Sequence, residues 1–167
     1  MGSPRPSGLL SSARLAPPLL NARRAAVICV LHGVAFGLAI DISCCADMRV
    51  CARDTQFSVK EVDIGLAADV GTLSRLPKIV GSFSWVKDVC LSARVFGADE
   101  ALAVGYVSQV HPTKAAALDA ALKAAELIAS KSPVAVQGTK ELLNHARDHS
   151  VAESKWEIIE PGARLVR

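Results

Sequence analysis

The stretch "HGVAFGLAIDISCCADMRVCARDTQFSVKEVDIGLAADVGTLSRLPKIVG", residues 32–81, decides the fold. Within it "FGLAIDISCCA" (36–46) reads as a short apolar helix, "MRVCA" (48–52) as a buried strand and "TQFSV" (55–59) as another short strand. Immediately upstream, the continuous β-prone run 25–31, "AAVICVL", predicts a fully buried strand stopped by Gly33. Brief strands and helices in alternation predict an α/β chain built from βα layers.

Downstream the pattern turns helical. "GTLSRLPKIVG" predicts a helix start broken at Pro77, and "SWVKDVCLSAR" a helix beginning near Ser84. "GADEALAVG" predicts a short helix closed by Gly105, followed by a strand over "YVSQV" (106–110). In "TKAAALDAALKAAELIASK", Leu118, Leu122, Ala125 and Ile128 fall on one helical stripe, and Asp119 and Lys123 are spaced as an i,i+4 ion pair. Pro133 opens the last helix, "PVAVQGTKELLNHAR", at a position where its missing N–H costs nothing.

Composition bounds the function. The chain of 167 residues is 51% hydrophobic but only 4% aromatic, which predicts one domain with an aliphatic, alanine-rich core. The net charge of +3 is misleading. Residues 1–40 hold four arginines and no acid, whereas the remainder carries 15 basic and 16 acidic residues. The folded part therefore shows no electrostatic footprint for nucleic acid. No apolar run reaches the ~18 residues of a membrane-spanning helix. Five cysteines, without metal-ligand spacing, sit mainly in apolar runs and predict reduced, buried thiols in a reducing compartment. Residues 1–24, rich in Pro, Ser and Arg, read as a presequence-like or disordered segment.

Three carboxylates invite chemistry. Asp41 lies in an otherwise apolar helix, which predicts an inward side chain with a partner, because an unpaired buried charge is costly. Glu61 and Asp63 would share a face if extended, with Lys60 available to either. Asp69 precedes "VGTLSRL" and could serve as the N-cap of that helix. Taken singly, each acid reads as structural. Taken together, two carboxylates beside one substrate can remove a proton at one carbon and return one at another. The enolate formed between those steps needs N–H donors, and the glycine-loosened helix start in "HGVAFGLAID" offers one.

The whole motif resembles the crotonase (enoyl-CoA hydratase/isomerase) superfamily, and its acid pattern is most similar to the dienoyl-CoA isomerase branch. The resemblance rests on the HG turn, an acid nine residues after His32, "ADMR" and "FSVKEVDIGLAADVGTLSRLP", with "GADEALAVGYVSQV" and "KSPVAVQGTKELLN" matching downstream. It implies a partial crotonase-like ββα spiral over residues 25–153 with a helical C-terminal portion, leaving residues 154–167 unmatched. It further implies conversion of 3,5-dienoyl-CoA to 2,4-dienoyl-CoA in fatty-acid β-oxidation. In that chemistry Asp69 takes the C2 proton, Glu61 delivers one to C6, Asp41 is the third pocket carboxylate, and the backbone N–H of Leu38 is an oxyanion donor.

The CoA thioester is itself the substrate, so no separate cofactor or metal is expected. The family implies a homo-oligomer, trimer or hexamer, in mitochondria or peroxisomes. Two departures stand out. Gly37-Leu38-Ala39 replaces a common Gly-Gly-Gly run, and the family's N-terminal half and C-terminal helices have no counterpart in the chain. Enoyl-CoA hydratase and a non-catalytic acyl-CoA-binding module are therefore the competing readings.

Overall fold

The computed structural model describes residues 24–154. Two small sheets and a set of helices build the expected α/β architecture. One sheet has the order β1 (Ile28–Leu31), β3 (Met48–Ala52), β6 (Gln109–His111), all parallel. The other has the order β2 (Val34–Phe36), β4 (Gln56–Ser58), β5 (Phe96–Gly97), with β2 parallel and β5 antiparallel to β4. Helices α1 (Leu38–Ser43), α2 (Thr72–Ile79), α3 (Phe83–Ser92), α4 (Ala98–Ala103), α5 (Lys114–Ala129) and α6 (Pro133–Asp148) lie between and after them among the described residues. A single 3₁₀ turn, Glu61–Ile64, follows β4.

Several expectations hold to the residue: the strand 48–52, the Pro133 helix start, and the Asp119–Lys123 pair at 2.8 Å. Others are corrected. The 25–31 strand is fully buried only at Leu31, because β1 lies at the edge of its described sheet. The helix from Thr72 runs through Pro77 to Ile79 rather than breaking there. So close to the helix end, the proline removes only the bond to the Leu73 carbonyl, and Leu73 is exposed to water. The helix expected near Ser84 starts at Phe83, capped by Ser82. The "YVSQV" strand is shifted to Gln109–His111, with Tyr106 and Val107 buried ahead of it.

The largest correction concerns α5. Leu118 and Leu122 are about half exposed, and the helix meets β1 and β3 through Ala117 and Ala121 instead. Alanine lets a helix approach a sheet more closely than leucine does, and close packing outweighs the larger apolar stripe. Aromatic residues are few, yet they are concentrated. Phe57, Phe96 and Tyr106 are buried together, with Phe57 stacked on Phe96 at 5.3 Å and edge-on to Tyr106 at 5.5 Å. The centre of the core is thus aromatic rather than purely aliphatic.

Two polar ties hold the layers. The Arg49 guanidinium donates to the carbonyls of Tyr106 (2.7 Å), Ala46 (2.8 Å) and Ser43 (3.2 Å), joining the end of α1 to the segment before β6. Asp47 accepts from the Val27 N–H and from Lys140 Nζ, each at 2.7 Å, pinning α6 to the start of β1. Among the described residues no helix is long and apolar enough to cross a membrane. The described cysteines are free, four of them buried and Cys29 half-buried. The segments 1–24 and 154–167 lie, apart from Arg24 and Ser154, outside the described residues.

Candidate active site

Strand register builds the site. β2 and β4 run parallel with Phe36 opposite Ser58, so the residues leaving both strands emerge side by side. Gly37 leaves β2 with φ +53° and ψ −116°, a conformation open to glycine and strained for other residues. Its N–H donates to the Ser58 carbonyl at 2.9 Å, which clamps the turn against β4. Leu38 then opens α1, and its N–H donates to no acceptor among the described residues.

Three residues past Ser58, Glu61 begins the 3₁₀ turn and reaches back to that corner. Its Oε1 lies 3.3 Å from where a Cβ on Gly37 would stand. Its Oε2 is buried with no hydrogen-bond partner. A buried carboxylate oxygen without a protein partner is uncommon, since most buried polar atoms are satisfied. The Cys90 thiol is pushed up by burial and by the nearby Glu61 charge, which places Glu61 above α3 as well. The turn is not extended, so Glu61 and Asp63 part company. Lys60 pairs with Asp63 at 2.8 Å and leaves Glu61 alone.

Asp41, one turn into α1, points inward as expected and is 1% exposed. Its Oδ1 accepts from both the N–H (2.8 Å) and the hydroxyl (2.7 Å) of Thr72, the first residue of α2. The α2 cap is thus supplied from α1. Asp69 is not the N-cap: that position is Gly71, and no side chain of its own segment caps the helix. Asp69 is exposed, three residues before Thr72, on the loop that follows Leu66, Ala67 and buried Ala68. Leu38, Val62, Ile64 and Leu66 around these acids are exposed apolar side chains.

The structure thus joins Leu38 with Glu61 through Gly37, and Asp41 with the loop bearing Asp69 through Thr72. Sequence reasoning missed Thr72 and the Gly37–Ser58 clamp. The first was discoverable, since a buried Asp41 requires a donor and Thr72 stands at a helix start. Two cavities, of about 240 and 680 Å³, lie elsewhere against α6, and none of Leu38, Asp41, Glu61 and Asp69 lines them.

This fold is that of crotonase-like proteins. An enoyl-CoA hydratase from Bacillus anthracis superposes with a TM-score of 0.86 at 24% identity, over 94% of this chain and 60% of that one. An enoyl-CoA hydratase/isomerase from Marinobacter aquaeolei gives 0.83 at 20% identity, over 99% of this chain and 65% of the other. Residues 19–158 match the family described as Enoyl-CoA hydratase/isomerase, and the chain belongs to that family. The human mitochondrial Delta(3,5)-Delta(2,4)-dienoyl-CoA isomerase is 56% identical over 128 residues, covering 77% of this chain and 39% of the relative. The peroxisomal enzyme of that name from Arabidopsis thaliana is 42% identical over 130 residues, covering 78% and 46% respectively. The chain therefore spans less than half the length of these relatives.

Proposed function

We propose that these residues form part of an isomerase site that moves the double bonds of a 3,5-dienoyl-CoA to the 2,4 positions. The observation that carries the reading is the buried, unpartnered oxygen of Glu61 packed against the turn that presents the Leu38 N–H. The Leu38 N–H binds the thioester oxygen. Asp69 takes a proton from C2, and the electron pair delocalises through the dienolate onto that oxygen. Glu61 then protonates C6, leaving the 2,4-diene, so one proton is lost and one gained. Asp41 is the third carboxylate, with Oδ1 engaged by Thr72 and Oδ2 free of bonds from the described residues. The exposed Leu38, Ile64 and Leu66 give the acyl chain apolar contact.

The substrate supplies its own CoA thioester, and no metal or further cofactor takes part in these steps. The relatives' names support a mitochondrial or peroxisomal setting and a role in fatty-acid β-oxidation. Family resemblance extends the proposal to a homo-oligomer, a trimer or hexamer.

A second reading is an acyl-CoA-binding module without turnover, favoured by the exposure of Asp69 beside the exposed Leu38, Ile64 and Leu66. The two separate in one assay. The purified chain is incubated with a 3,5-dienoyl-CoA beside an Asp69→Asn variant. Isomerisation that the variant loses supports the enzyme. Equal rates above background exclude Asp69 as the base, and binding without conversion supports the module.

A further inference from the structure

The Asp41–Thr72 contact does more than cap a helix. Both residues are fully buried, and both donors of Thr72 converge on the single oxygen Oδ1. Asp41 stands three residues after Leu38 on the rigid α1. Thr72 stands three residues after Asp69 at the head of α2. The loop between is tightly made. Gly71 has φ +147°, and the Arg75 guanidinium fills the space a Cβ there would need, with Nη1 only 1.9 Å from that point. Arg75 N–H and Ser74 Oγ both donate to the Gly71 carbonyl, at 3.1 and 3.0 Å. These contacts leave only Val70 and Gly71 between Asp69 and the anchored Thr72.

We propose that Thr72 is a positioning residue, whose hydroxyl locks the Asp69 loop to the helix carrying the Leu38 donor through Asp41. This rests on the isomerase reading for its consequence but not for its geometry. Reaction geometry is sensitive to such a lock, since a displacement of about 1 Å can cost on the order of a hundredfold in rate. Serine keeps both donors, whereas valine keeps the shape and removes the hydroxyl.

The test uses the full chain as wild type, Thr72→Val and Thr72→Ser, with two readouts. The first is kcat and KM on a 3,5-dienoyl-CoA. Expected is a roughly tenfold or greater fall in kcat for valine with KM within about threefold, and rescue by serine to near the wild-type rate. The second is amide hydrogen exchange, where valine should lower protection in residues 66–72 and 38–43 together while the 48–52 strand stays protected. If Thr72→Val fails to fold, Asp41→Asn serves in its place for the exchange measurement alone, since it keeps the volume and weakens the acceptor while Asp41 is itself a pocket carboxylate. Unchanged kcat and unchanged exchange in the valine variant overturn the proposal, as does a serine variant as slow as valine. A wild-type chain that does not isomerise counts against the isomerase reading alone. The exchange measurement then decides the lock.

Discussion

A side-chain oxygen of Glu61 lies 3.3 Å from the point a β-carbon on Gly37 would occupy, so the acid and the turn that presents the Leu38 N–H are in contact. Gly37→Ala should therefore do two things. Placing alanine at φ +53° should destabilise the fold by about 1–3 kcal/mol. It should also displace the Glu61 carboxylate, whose Oε1 would stand 3.3 Å from the new Cβ. Gly33→Ala is the control, because Gly33 has φ +60° with nothing within 4 Å of its Cβ position. Thermal unfolding should show similar losses for both, with acyl-CoA binding or turnover impaired further only in Gly37→Ala.

Asp47 and Lys140 form the least exposed ion pair described, with side chains 21% and 10% exposed. Lys140→Met should leave the Asp47 carboxylate short of its charge partner and cost about 3 kcal/mol by urea titration. Lys123→Met, which breaks an exposed pair on α5, should leave the midpoint unchanged within error. Equal effects would show that α6 is not held to the core by Lys140.

Burial pushes the Cys44 thiol up to about 12 and the Cys51 thiol up to about 11. Reaction with alkylating reagents proceeds through the thiolate, so both should resist modification at pH 8 while the chain is folded. Mass spectrometry should find them unmodified in native buffer and all five cysteines alkylated in denaturant. Fast native labelling of Cys44 would contradict the packing of α1 against the core.

Hydrogen bonds from Arg94, with one from the Trp85 indole, hold the Glu100 carboxyl below the usual range. A depressed folded value means that the contribution is present above the unfolded carboxylate range, near ~4.3, and fades as pH falls through the folded value. The pair is partly exposed, so salt should weaken it. Glu100→Gln should flatten this part of the acid limb of the stability–pH curve by lowering stability near pH 8, where the contribution is fully present, while leaving stability below the folded value nearly unchanged. An unchanged acid limb would argue against the Arg94–Glu100–Trp85 contact.

Much of this was legible in the residues. The strand 48–52 and the proline-led α6 follow from local rules of apolar run length and capping. The inward Asp41 follows from the cost of an unpartnered buried charge. The helix α5 forms as expected, but periodicity identifies its apolar face and not the depth at which a neighbouring sheet accepts it. Ala117 and Ala121 win by closeness, a tertiary fact. The same limit applies at the site. Glu61 and Gly37 are 24 positions apart, and only the parallel register of Phe36 with Ser58 brings them together. The partner of Asp41, Thr72, stands 31 positions away, yet the need of a buried acid for a donor at a helix start pointed toward it.

The central claim is that Asp69 and Glu61 act at separate carbons of one acyl thioester held by the Leu38 N–H. Deuterium incorporation from heavy water into a 3,5-dienoyl-CoA and its product, read by NMR at C2 and C6, tests it most directly. The account predicts label at C6 of the product for the wild-type chain, loss of all exchange in Asp69→Asn, and in Glu61→Gln retained exchange at C2 without label at C6. C2 exchange that persists undiminished in Asp69→Asn, or C6 labelling that persists in Glu61→Gln, would contradict it.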